Sequence, residues 1–136
     1  MAEGQYQVAY ELLLPFEPAK LADPGFNRLL GEAALKAGRG EQAVTFFERS
    51  LTASPGSVEA HLGLGRAYMA LGDYARAKIE FETVLRFDDL PPDLESQAQI
   101  YAEAALAYAD GRRLLSSGYA MIGLGNYRVG AVGGGP

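Results

Sequence analysis

Slid against itself by 34 positions, this sequence repeats. Leu30-Gly31 falls on Leu64-Gly65, Gly38 on Gly72, Ala43 on Ala77, Phe47 on Phe81 and Leu51 on Leu85. The same shift carries Ala43 back onto Ala9 and Phe47 back onto Leu13. A fixed period of this size implies stacked supersecondary units, each too small to bury its apolar face alone and each completed by its neighbour.

The residues inside one period describe two helices. Asp23-Pro24 offers an N-cap followed by a proline at the first helical position. The helix that starts there runs to about Ala37, where Gly38 suits the left-handed residue that ends it. A second helix covers roughly Glu41 to Ala53 and buries Phe46, Phe47 and Leu51. Ser54-Pro55-Gly56 is a breaker cluster, and Ser57 is the next N-cap. The scheme recurs with a helix over roughly 58–71, a turn at Gly72-Asp73 and a helix over 74–87, for which Asp73 is the N-cap. Between the large residues Leu30, Leu64, Tyr68, Phe47 and Phe81 stand Gly31, Gly65, Ala43 and Ala77. The small ones let two antiparallel backbones approach, and the large ones fill the space beside them.

This pattern resembles the tetratricopeptide repeat family. The resemblance rests on Leu30-Gly31, Gly38, Ala43, Phe47 and Pro55 in one repeat, and on Leu64-Gly65, Tyr68, Gly72, Tyr74, Ala77 and Phe81 in the next. The departures are Asn27 and His61 where the family often has Trp, Ala34 where it often has Tyr, and Ser50 and Val84 where it often has Ala. The implied fold is an all-α helical-hairpin array, an α-solenoid. Its expected parts are a half repeat over 4–23, full repeats over 24–57 and 58–91, and a capping helix over 92–115. Residues 1–117 then form one repeat domain, with a Gly-rich tail or isolated strand over 118–136.

The two ends differ from the repeats, as terminal units of an array do. In the first helix, Gln5 to Leu14, the residues Val8, Ala9, Leu12 and Leu13 are expected to face the array, with Pro15 and Pro18 ending or kinking it. After Pro91-Pro92, apolar residues fall at Leu94, Ala98, Tyr101, Ala105 and Tyr108, one face of a helix. Eight of the 17 glycines lie beyond Asp110, and helical periodicity stops there. Tyr119, Met121 and Tyr127 alternate with residues of the opposite set at period two, which reads as a strand and a candidate assembly strand. One strand has no partner in a helical domain. A disordered tail, pairing with a second copy and the first strand of a further β-domain all stay open. Ser117-Gly118-Tyr119 and Gly123-Leu124-Gly125-Asn126-Tyr127 resemble bacterial proteins in which such repeats precede an outer-membrane β-barrel.

Composition narrows the chemistry. A net charge of −5 and a pI near 4.8 argue against nucleic acid, which wants a basic footprint. Without Cys there is no disulfide and no thiolate ligand. No apolar run reaches the ~18 residues of a spanning helix, so this segment is expected not to insert directly in a membrane. The first residues lack a basic n-region and an A-x-A site, although a removed leader stays open; a periplasmic location is expected for a fragment and a cytoplasmic one otherwise. His61 stands alone as an imidazole and reads as a packing residue, so no metal and no cofactor are expected. The carboxylate pairs Glu80/Glu82, Asp88/Asp89 and Asp93/Glu95 do not share helix faces in a way that builds a general acid–base site. The serines lack a nucleophile elbow, and Gly123-Leu124-Gly125 has Arg128 where a dinucleotide fingerprint needs Gly. An enzyme is not expected.

What remains is surface. By the resemblance, the first helices of successive repeats line a concave groove. Here they bring Arg28, Glu32, Leu35 and Lys36 together with Leu62, Arg66 and Met69, extended by Ser96 and Gln99 or Ile100 of the cap. The set is mixed, with Arg28, Lys36 and Arg66 basic and Leu35, Leu62 and Met69 apolar, so the groove suits a protein or peptide with an acidic group beside an apolar side chain. The alternatives are ordinary solvated helix surface and a structural module of an outer-membrane assembly. A homo-oligomer, through the Tyr101 and Tyr108 face or the tail, is also open.

Overall fold

The computed structural model describes residues 3–14 and 23–116. They form six helices and no strand: α1 (Glu3–Leu13), α2 (Pro24–Lys36), α3 (Gly40–Ala53), α4 (Val58–Ala70), α5 (Tyr74–Leu85) and α6 (Pro92–Ser116). The fold is the all-α repeat array that the period requires. Pro15 and Pro18, and the residues Tyr119, Met121 and Tyr127 for which a strand is expected, lie outside the described residues.

Each helix of the repeats starts and stops for a local reason. The Asp23 carboxylate accepts from the Phe26 N–H at 3.1 Å, the Ser57 hydroxyl from Ala60 at 3.1 Å and the Asp73 carboxylate from Arg76 at 3.2 Å, satisfying donors that the first turn leaves free. At the other ends, Gly38 (φ 82°) and Gly72 (φ 77°) take the left-handed conformation. Around them Arg39 N–H reaches Ala34 O and Gly38 N–H reaches Leu35 O, and Asp73 and Gly72 make the equivalent bonds to Tyr68 and Met69. This paired closure is the Schellman motif, here repeated at 34 residues. Helix α5 stops at Leu85, short of the expected Phe87, because the Arg86 and Phe87 N–H groups turn to Thr83 and Val84 in a tightened last turn.

Every helix packs on its neighbours in sequence, and α4 also touches α2 and α6 directly. Among the described residues α1, α3 and α5 make no such next-but-one backbone contact. The row α2–α4–α6 is therefore the tighter, inner row of the curve, and α1–α3–α5 the outer one. The core runs between the rows through Leu30, Ala43, Phe47, Ala67, Ala77, Phe81, Ala98 and Ala105, all buried.

The glycines have a more specific use than helix approach alone. A Cβ on Gly31 would stand 2.9 Å from the Phe47 ring, and one on Gly63 or Gly65 would run into Phe47 or Phe81. The rings occupy the volume that those side chains would take.

Helix α1 is turned relative to the sequence expectation. Tyr10 is buried and Tyr6, Ala9 and Leu13 lie on the inward side, whereas Val8 and Leu12 are 53% and 66% exposed. The inward row is 6, 9, 10 and 13, with tyrosines supplying much of its bulk. Tyr10 meets Phe46 edge-on at 6.2 Å, and Arg39 lies over the Tyr10 ring and donates to Gln7 at 3.0 Å. On the cap, Tyr101 stacks on Phe81 and Tyr108 on Tyr74, so both rings make contacts within the chain.

Candidate functional site

The inner row presents the residues singled out from the sequence. On α2, Arg28 is half-buried and makes no ion pair among the described residues. Glu32 lies one turn on, and Lys36, exposed in the last turn, places its ammonium 5.3 Å from the Tyr6 ring centroid. Leu35 is half-buried against the core. On α4, Met69 is likewise half-buried, Leu62 is covered and belongs to the core, and Arg66 donates to Glu32 at 2.6 Å. Arg66 and Glu32 thus neutralise each other across neighbouring inner helices, about a quarter exposed each. Arg28 and Lys36 remain as cations on α2, which also carries Leu35, with Met69 on α4, while α6 adds the exposed Ser96, Gln99 and Ile100.

A second concavity was not apparent from the sequence. Between α1 and α2 lies a hollow of about 370 Å³ lined by Tyr6, Ala9, Leu13, Leu29, Glu32, Ala33 and Lys36. Leu29 is 49% exposed there. The signal was available: Leu29 occupies the position that Gly63 fills one period later.

His61 is held by two acceptors. Nδ1 lies 2.8 Å from a Glu80 carboxylate oxygen and Nε2 lies 3.0 Å from the Pro55 carbonyl oxygen. Neither partner can donate, so satisfying both contacts requires both ring nitrogens to carry protons, the imidazolium form. The hydrogen bond to Glu80 raises the pKa above 6.5, against partial burial, with the Pro55 bond assisting. The ring also meets Phe87 edge-on at 5.6 Å. His61 therefore fastens the α3–α4 turn to α5. Among the described residues no three His, Cys, Asp or Glu side chains are grouped to hold a metal ion, and no helix is long and apolar enough to cross a membrane.

Two family models, each described as tetratricopeptide repeat, match the chain over residues 34–100 and 1–58. Two curated relatives resemble it over 88 residues at 33% identity: the cellulose synthase operon protein C of Escherichia coli strain K12 and the putative protein of that name from strain O157:H7. The match covers 64% of this chain but 8% of each relative, so the chain spans a small part of their length.

Proposed function

Because the chain belongs to the tetratricopeptide repeat family, whose arrays are generally protein–protein interaction modules, we propose that it is a non-enzymatic scaffold that binds a peptide or partner protein along the concave face of its inner row. Residues 24–57 and 58–91 serve as the full repeats, with 4–23 and 92–115 closing the array within a domain of residues 1–117. The observation that carries the reading is the row α2–α4–α6 itself, which carries the cations Arg28 and Lys36 together with the half-buried Leu35 and Met69. An extended segment with a carboxylate next to an apolar side chain meets both needs. Leu62 supports the groove wall from beneath, and the Arg66–Glu32 pair stiffens it. The test is selection from a displayed random-peptide library. Acidic–apolar peptides should be enriched on the native chain and lost on an Arg28→Glu, Lys36→Glu variant that keeps its helical content. Peptides that bind both proteins equally would place recognition elsewhere.

The relatives favour a second reading. Their printed name ties them to a cellulose synthase operon, which fits a structural module in a bacterial polysaccharide or secretion assembly, periplasmic and attached to the outer membrane. Osmotic-shock fractionation of the chain expressed from its own gene separates the two. Release with the periplasmic fraction supports the second reading, and retention in the cytoplasm opposes it.

A further inference from the structure

The inner row is electrically graded from one helix to the next. Helix α2 carries Arg28 and Lys36 against Glu32, and α4 carries Arg66 against Glu59. Helix α6, from Pro92 to Gly111, carries Asp93, Glu95, Glu103 and Asp110 and no Lys or Arg. Its Arg112 and Arg113 come more than two turns beyond Glu103. His61 of α4 is turned to Glu80 and the α3–α4 turn. Pairing inside the row sharpens the gradient, because Glu32 and Arg66 cancel each other at 2.6 Å. Arg28 makes no ion pair among the described residues, and Lys36 has the Tyr6 ring, which leaves its charge in place. Glu59, Glu95 and Glu103 are exposed and likewise make no ion pair among the described residues. The cations left over are therefore on α2, and the carboxylates left over are on α4 and α6. Steps of four residues carry Glu95 to Gln99 and Glu103, so both carboxylates share the face that Gln99 adds to the groove.

We propose that the row binds an extended peptide segment with a dipolar charge pattern: an acidic residue over α2, an apolar residue over the middle of the row and a basic residue over α6. This rests on the reading of the inner row as the binding surface, and it adds a direction and a third recognition element. Neighbouring packed helices lie about 8–10 Å apart, so α2 and α6 stand about 20 Å apart across α4. An extended chain, at about 3.3 Å per residue, spans that in about six residues. Arg28 offers the acidic end a guanidinium fork. Leu35 and Met69, both partly buried against the core, supply apolar contact between the charged ends. A second acid at the far end would meet Glu95 and Glu103, like charge on like, and is rejected. Helices added at either end of such an array stack along the row and leave its concave face open. The pattern is thus independent of what precedes or follows these residues.

Two fluorescent peptides of equal length, with blocked ends, test the pattern. Both have Asp at one end and Leu at the centre; at the other end one has Lys and the other a second Asp. They are titrated against the full chain by anisotropy. At low ionic strength the dipolar peptide should bind about fivefold or more tighter than the diacidic one, a margin that added salt reduces. Glu95→Lys, Glu103→Lys in the chain should invert that order, with helical content kept because both residues are exposed. Arg28→Glu, Lys36→Glu should weaken both peptides. Equal affinities on the native chain, or an order that the α6 variant leaves unchanged, overturn the dipolar pattern while the groove reading stands. Failure of both peptides to bind the native chain overturns the two together.

Discussion

The two full repeats fill the same space with different residues. In the first, one edge of the Phe47 ring is met by Gly31 from α2 and by Gly63 from α4, both buried. In the second, Phe81 meets Gly65 from α4, but on the α6 side it finds Tyr101, stacked at 5.1 Å and 15°. Three residues beyond each ring, Ser50 donates its hydroxyl to the Pro24 carbonyl at 2.8 Å, whereas Val84 is a buried apolar group. At the position where the family often has an aromatic, Asn27 donates to Asp23 O at 2.9 Å, and His61 bridges Glu80 and Pro55. The period conserves position and filled volume, and leaves the chemistry to what each neighbour offers. A repeat between two like units is closed by glycines; one against a capping helix is closed by an aromatic stack.

The largest effects should leave that comparison level. Phe47→Ala and Phe81→Ala each delete a fully buried ring and should each cost about 3–5 kcal/mol, read from urea unfolding. If Phe81→Ala costs far less than Phe47→Ala, the second repeat is not an equal structural unit and the α6 stack has not replaced the missing neighbour.

Smaller substitutions sharpen the difference. Alanine normally favours a helix over glycine by about 1 kcal/mol. At Gly63 that gain meets a Phe47 ring already held by Gly31, so Gly63→Ala should destabilise by about 1–3 kcal/mol through overpacking. At Gly65 the ring is backed by Tyr101, which is only partly buried and can give way, so Gly65→Ala should cost less. Gly4 has nothing near its missing Cβ, and Gly4→Ala should stabilise by up to about 1 kcal/mol. The order of urea midpoints, Gly63→Ala lowest and Gly4→Ala highest, checks all three.

Much of this architecture could be read before any coordinates. Asp23, Ser57 and Asp73 at helix starts, with Gly38 and Gly72 at helix ends, act through hydrogen bonds that span three to five residues, so local sequence carries the information. The phase of α1 was not legible, because its apolar residues nearly encircle it and only contact with α2 and α3 selects the row of Tyr6, Tyr10 and Leu13. Glu32 and Arg66 each read as a groove charge, but their pairing depends on two helices a period apart. The hollow was hidden for a similar reason. It exists because Leu29 and Ala33 lie opposite α1, a relation between helices that no short window contains. The role of His61 was not legible, because its two acceptors come from a loop and from α5.

The smallest effect tests that histidine against its counterpart Asn27, which does not titrate. His61 has a pKa raised above 6.5 by its bond to Glu80. A group that binds its proton more tightly folded than unfolded adds stability below the unfolded value, and that contribution fades as pH rises through the folded value. Between about pH 6 and 9 this Cys-free chain with one His has no other side chain of ordinary pKa that changes charge, and the α-amino group is common to any variant. The native chain should therefore lose urea resistance across that interval relative to His61→Gln, the gap between them being widest at the acid end. Loss of the Nε2 proton would free the Pro55 carbonyl first, because Glu80 keeps the proton on Nδ1, so the α3–α4 turn should gain amide exchange before α5 does. A gap that stays constant with pH would mean that His61 is neutral in the fold, with one of its two contacts repulsive rather than bonded.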